Sequence, residues 1–151
     1  MKTTHTLRTT SPQLSAPKLI GDVGYDLLAS YDAWLTPGRM ASIPTDVRVQ
    51  IPMGFWGLVI ARSWANAGGR FIVLPGVIDA GYRGELFVYV WYIADKHNSQ
   101  EIVKVEKGEA FAQLILIPAC VFPVECIDDL DKSERESRGF GSTGVCKSIG
   151  N

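Results

Sequence analysis

Glycine or proline interrupts this chain about every eight to twelve residues, with β-branched and aromatic runs between them. That rhythm predicts an all-β sandwich or barrel. Strands are expected over 25–29, 33–36, 39–43, 47–51, 55–61, 71–74, 86–93, 101–105, 111–117 and 120–127. "VRVQIP" at 47–52 alternates apolar and polar residues, as a half-buried strand should. The apolar runs "LFVYVWYIA" at 86–94 and "FAQLILIPACVFPV" at 111–124 read as buried strands. Turns are expected at "TPGR" (36–39), "PMG" (52–54), "KHNS" (96–99) and "EKGE" (106–109). One short helix is expected near "SWANAGG" at 63–69.

A length of 151 residues fits one domain, and 46% apolar against 21% charged residues marks a globular chain. The net charge of −1 supplies no basic excess for general nucleic-acid or membrane binding. An anionic ligand would have to be held by a few placed groups. Neither apolar run reaches the ~18–20 residues of a membrane-spanning helix. Cys120, Cys126 and Cys146 are odd in number and lack CxxC spacing, which argues against a disulfide framework or a zinc site. An intracellular protein is the simplest reading, cytoplasmic or nuclear, or within a host cell if viral. Residues 1–18 read as a flexible segment, 19–130 as the barrel, and 131–151 as a polar, Gly/Ser-rich arm.

Five segments are over-specified for plain β structure. "VGYDLLA" (23–29) sets Asp26 among apolar neighbours. "ARSWANAGG" (61–69) offers Arg62 and Ser63 where a strand ends. "GVIDAGYRGEL" (76–86) places Asp79 and Tyr82 on a tight turn. "KGEAFAQLI" (107–115) puts Gln113 inside an apolar strand. "RESRGFGSTG" (135–144) is a Gly-rich, hydroxyl-rich loop with Arg135 and Arg138 beside it. Backbone N–H groups in such a loop can form an anion-binding nest. It is not a Walker A loop, because Cys146 stands where that pattern needs glycine. Taken singly, each segment has a plain reading: Asp26 a turn cap, Gln113 a satisfied core amide, Arg62 a surface cation, the last loop a solvated tail.

In this order, the five segments resemble the motifs of the trimeric dUTPase family, from about Gly24 to Gly144. "GYDLLA" is similar to the first motif, "RS" at 62–63 to the second, "GVIDAGYRGE" to the third, "GEAFAQLI" to the fourth and "RESRGFGSTG" to the fifth. The resemblance implies a distorted jelly-roll β-barrel with a C-terminal arm, assembled as a homotrimer with shared sites. It implies hydrolysis of dUTP to dUMP and pyrophosphate, with Mg²⁺ on the triphosphate and water attacking the α-phosphorus.

By the same resemblance, Asp79 is the base. A free aspartate titrates near pH ~4, so the role needs no histidine at neutral pH. His5 and His97 lie outside every motif. Tyr82 would stack beneath the deoxyribose and exclude a 2′-hydroxyl. Main-chain groups around 71–77, including Gly76 and Val77, would read the uracil. Arg62 and Ser63 would face the β-phosphate, and Gln113 the α-phosphate or the attacking water. Asp26 would reach Mg²⁺ through water. Arg135 would meet the γ-phosphate, Phe140 would close over the base, and Gly141, Ser142 and Thr143 would complete the arm's contacts. No nucleic-acid or membrane partner is implied.

The chain departs from the family pattern at Trp64, where a small residue is usual after "RS", and at Ala110, where arginine is usual. It departs also at Gly81, a frequent aspartate, and at Glu136 and Arg138, common glycines. Two rivals remain at this level. One is a nucleotide-binding or regulatory protein of the same fold with weak turnover, and the other a dCTP deaminase relative.

Overall fold

The computed structural model describes residues 5–63, 71–93 and 102–133. Its strands are β1 (Arg8–Thr9), β2 (Gly24–Leu28), β3 (Ala33–Leu35), β4 (Met40–Gln50), β5 (Phe55–Ala61), β6 (Ile72–Val73), β7 (Gly76–Ile78), β8 (Glu85–Trp91), β9 (Val103–Val105) and β10 (Ala110–Pro118). One sheet runs β1-β4-β8-β6 and a second β2-β10-β5-β7, while β3 pairs with β9. Every pairing is antiparallel. The expectation of an all-β, jelly-roll-like fold is met. No helix of the described residues is long and apolar enough to cross a membrane.

Alternation builds the core. Val47, Val49 and Ile51 are buried while Arg48 and Gln50 face out, as "VRVQIP" predicts. They join Leu27, Leu35, Ile43, Leu86, Val88, Val90, Val105, Phe111 and Leu114 in one apolar cluster. Phe111 sits at a register shift in β10, where Ala110 pairs with Leu28 but Ala112 with Leu27. The bulge lets the adjacent Phe111 and Ala112 both face the interior. Burying the phenyl ring contributes about 1.5–3 kcal/mol.

Several expectations are corrected. The strands expected over 39–43 and 47–51 are one strand, β4. Pro44 is tolerated because β1 pairs only with Val49 and Gln50, so no strand calls on the missing N–H at Pro44, whose carbonyl accepts the Ser30 amide at 3.0 Å. The register of β4 against β8 slips between Pro44 and Arg48, and Asp46 takes a φ of 54° in that slip. The run 86–94 is not wholly buried. Leu86, Val88 and Val90 point inward, whereas Phe87, Tyr89 and Trp91 are 44–48% exposed. The strand expected over 120–127 is absent, and β10 ends at Pro118. Pro118 and Pro123 each withhold a ladder N–H there. Strands β1 and β7 are additions. Arg8–Thr9 pairs with β4 although residues 1–18 read as a flexible segment. The helix expected at 63–69 lies outside the described residues apart from Ser63.

All ten strands belong to one compact unit, residues 1–120, and residues 121–133 are the described part of a second.

Asp32 ties the β9–β10 turn to the loop before β3. Its Oδ1 accepts the Lys107 amide at 2.8 Å, and its Oδ2 lies 2.7 Å from Lys104 Nζ. The Lys104 ammonium first, and the Lys107 amide second, hold Asp32 below the usual carboxylate range. A depressed carboxyl stabilises the fold fully above its unfolded pKa, near ~4, and loses that contribution as pH falls through the folded value. Asp32→Asn is therefore expected to lower the melting temperature at pH 7, and the gap to the parent should close in acid. Thermal melts at stepped pH check this, and a gap independent of pH would refute it.

Candidate active site

The register of the second sheet brings three polar side chains together. In β10, Gln113 stands opposite Asp26 of β2 on one side and Ile60 of β5 on the other. Directly opposed residues share a face, and Arg62 lies two residues beyond Ile60. The other face carries Leu27, Leu114, Val59, Ala61 and Ala112, all buried. Asp26, Gln113 and Arg62 are thus displaced outward by the same alternation that fills the core.

Their contacts fix their directions. Arg62 Nε lies 3.1 Å from Asp26 Oδ1, and Arg62 Nη1 donates to the Ala110 carbonyl at 3.4 Å. Both charged side chains are more than a third exposed, so this pair contributes at most about 1 kcal/mol to stability. Its consequence is orientation. Gln113 Nε2 donates to the Ala61 carbonyl at 3.0 Å. Gly24 makes that arrangement possible, since a Cβ there would overlap the Gln113 amide. Asp26, Arg62, Ser63, Gln113 and Gly24 line a cavity of about 690 Å³, whose remaining wall is the 15–23 loop with Lys18. Sequence reasoning missed Lys18 and the part played by Gly24. A glycine that admits a neighbour's amide leaves no periodic signal.

Asp79 and Tyr82 sit on the turn that leads from β7 in one sheet to β8 in the other. The Tyr82 amide donates to the Asp79 carbonyl at 3.0 Å, closing the turn. Arg83 Nη1 clasps it by donating to the Ala80 carbonyl at 2.6 Å and the Tyr82 carbonyl at 2.7 Å. Tyr82 Oη donates to the Glu85 carbonyl at 2.9 Å, and the ring lies where a Cβ on Gly84 would be. Val77, Asp79 and Tyr82, with Phe87 and Tyr89, line a second cavity of about 210 Å³. Strand β7 ends its sheet: Gly76, Val77 and Ile78 pair with Val59, Leu58 and Gly57, and their other edge meets no strand among the described residues. At Gly76 a Cβ would make only ordinary contact with Val59, so packing does not demand the glycine.

The sequence-selected residues therefore fall into two groups. Asp26, Arg62, Ser63 and Gln113 share one cavity, and Val77, Asp79 and Tyr82 another. Arg135, Phe140, Gly141, Ser142 and Thr143 lie outside the described residues, as do Trp64, Glu136 and Arg138. Ala110 opens β10 and offers its carbonyl to Arg62.

The sequence profile described as dUTPase matches residues 11–144. This chain belongs to the dUTPase family. The match takes in both cavities and all five motif segments. Among relatives, the deoxyuridine 5′-triphosphate nucleotidohydrolase of Cutibacterium acnes is 39% identical over 127 residues, covering 83% of this chain and 81% of that protein. Among solved structures, a mutant of the Staphylococcus bacteriophage 80alpha dUTPase with dUpNHpp superposes with a TM-score of 0.80 at 29% identity. It covers 93% of this chain and 99% of its own. A mutant dUTPase from phage phi11 of S. aureus, described with a structural Mg(II) ion, has a TM-score of 0.70 at 27% identity. That match covers 82% of this chain and 97% of the other. In this dUTPase-family chain, the two cavities correspond to the segments that resemble motifs one, two and four on the one hand and motif three on the other.

Proposed function

We propose that this protein hydrolyses dUTP to dUMP and pyrophosphate. The family match over residues 11–144 carries the reading. Asp79 orients a water and takes its proton as the oxygen bonds to the α-phosphorus. The bond from that phosphorus to the β-bridging oxygen breaks, and pyrophosphate leaves. The turn geometry supports this role, because Asp79 closes the turn through its main-chain carbonyl and its carboxylate enters no ion pair among the described residues. Tyr82 lies beneath the deoxyribose, and the open edge of β7 at Gly76 and Val77 reads the uracil through main-chain groups.

Arg62 and Ser63 hold the β-phosphate side, and Gln113 the α-phosphate or the water. Arg135 meets the γ-phosphate, Phe140 covers the base, and Gly141, Ser142 and Thr143 close the arm over the nucleotide. Among the described residues no group of three His, Cys, Asp or Glu is arranged to hold a metal ion. Asp26 has one carboxylate, already bonded to Arg62. That donor set fits Mg²⁺ ligated by phosphate oxygens, with Asp26 reaching it through water. Mg²⁺ supplies charge neutralisation on the triphosphate.

A homotrimer with shared sites accounts for the division between the two cavities. Phe87 and Tyr89 line the Asp79 cavity from a face that Trp91, Met40 and Ile72 continue, all half-exposed. An apolar face of that kind fits coverage by a second copy.

The test is a substrate panel of dUTP, dCTP, UTP and dTTP with Mg²⁺, reading pyrophosphate and base products together. Pyrophosphate from dUTP alone is expected. Ammonia from dCTP would overturn the assignment in favour of a deaminase. Tight dUTP binding without pyrophosphate would overturn it in favour of a regulatory nucleotide binder.

A further inference from the structure

A groove of about 310 Å³ shares no lining residue with either cavity, and three of its lining side chains are Arg8, Arg48 and Arg83. None of its lining residues is acidic. The chain as a whole has 15 lysines and arginines against 16 acids, so this concentration is local. Like charges gathered around one hollow repel, and they raise a positive potential there. None of the three guanidiniums enters an ion pair of the described residues.

Strand register explains the convergence. Arg8 pairs with Gln50, and Arg48 lies two residues before Gln50 on the same outer face of β4. Arg48 is opposite Glu85, and Arg83 is two residues before that. Glu85 forms no ion pair with Arg48 among the described residues, although both line the adjoining depression with Asp46. Its Oε1 accepts the Asp46 amide at 2.9 Å, and it lines the neighbouring depression with Ser11 and Gln13.

The backbone beneath the arginines is pinned. Thr9 Oγ1 donates to the Arg48 carbonyl at 2.8 Å, and Gln13 Nε2 donates to the Thr45 carbonyl at 3.1 Å. Ser11 Oγ donates to the Asp46 carbonyl and accepts the Arg48 amide. The Arg8 and Arg48 side chains therefore project from a fixed main-chain platform. Among the described residues Arg83 uses only Nη1 on the turn carbonyls, so Nε and Nη2 can meet another acceptor.

We propose that this groove binds a small phosphate-class oxyanion, of pyrophosphate size. Planar guanidinium forks match phosphate oxygens in pairs, which a lysine cluster would not do. The site is separate from the Asp26 cavity and does not rest on the dUTP reading. Because Arg83 also clasps the Asp79–Tyr82 turn, an anion held here touches the side chain that holds that turn closed.

The experiment is a titration of isotope-labelled protein with inorganic pyrophosphate, followed by amide NMR at constant ionic strength. Saturable shifts are expected at Thr10, Val49, Gln50 and Arg83. Gly24 and Ser63 report the Asp26 cavity separately, and a parallel dUTP titration reads that cavity on its own. In Arg8→Gln/Arg48→Gln, the groove's apparent dissociation constant should rise at least about tenfold, as two charge-assisted contacts are lost. Both substitutions leave the main-chain bonds of β1 and β4 in place, and Arg8→Gln alone serves if the double variant fails to fold. Unmoved groove amides, or equal shifts in the variants, would overturn the proposal. So would a single-stranded oligonucleotide that saturates the same amides at lower phosphate concentration than pyrophosphate, since the phosphate would then be a nucleic-acid backbone.

Discussion

Asp79→Asn is expected to slow dUTP hydrolysis by about 100- to 10,000-fold while dUTP affinity stays close to that of the parent. The substitution keeps the shape of the side chain and removes its capacity to take a proton. The turn survives it, because Tyr82 bonds to the Asp79 carbonyl and Arg83 to the carbonyls of Ala80 and Tyr82. Asp79 is exposed, so little packing is lost and the melting temperature should move by only a few degrees at most. Rate and stability therefore separate, which a merely structural role for Asp79 would not allow. Pyrophosphate release, calorimetric dUTP binding and a thermal melt make the comparison. An unchanged rate would remove Asp79 from the role of base, and a collapsed melt with lost binding would reassign it to the scaffold.

The parts of this protein that a sequence shows are those where one residue obeys or breaks a period. β4 is legible beyond Val47 because Val47, Val49 and Ile51 alternate with charged or polar residues. Gln113 is legible because it interrupts an apolar run, and the register then explains the interruption by setting it opposite Asp26. The run 86–94 misleads because its outer face is aromatic. Phe87, Tyr89 and Trp91 satisfy an apolar pattern whether or not anything covers them.

β1 is invisible to such reading. Arg8–Thr9 has no apolar signal, and it is held by hydroxyl and amide bonds from Thr9, Ser11 and Gln13 to main-chain carbonyls of a bulged strand. The bulge itself depends on Asp46 at positive φ, a conformation open to aspartate that the bonds around it select here. In the site, residue order within five segments indicated which side chains to watch. It did not indicate that they divide between two cavities, because that follows from which strands become neighbours.

Replacing Gly84 with alanine is expected to weaken discrimination between dUTP and UTP more than removing the Tyr82 hydroxyl does. Two restraints hold the Tyr82 ring over its own turn: the Oη bond to the Glu85 carbonyl and the empty space above Gly84. The bond is solvent-exposed and contributes about 0.5–1.5 kcal/mol. Tyr82→Phe should therefore leave the ring near its place and most of the selectivity intact. A Cβ at position 84 would overlap the Oη and Cζ positions, so the ring must leave. If that ring is what denies room to a 2′-hydroxyl, the kcat/KM ratio of dUTP to UTP should fall by roughly 10- to 100-fold in Gly84→Ala, and similarly in Tyr82→Ala. Because no hydrogen-bonding group of the protein is withdrawn from the sugar, the gain should appear in UTP turnover more than in a loss of dUTP turnover. Steady-state kinetics on both nucleotides with all three variants separates the alternatives. Equal ratios in parent, Tyr82→Ala and Gly84→Ala would refute the steric gate, whereas a large drop in Tyr82→Phe would move the selectivity from the ring to its hydroxyl.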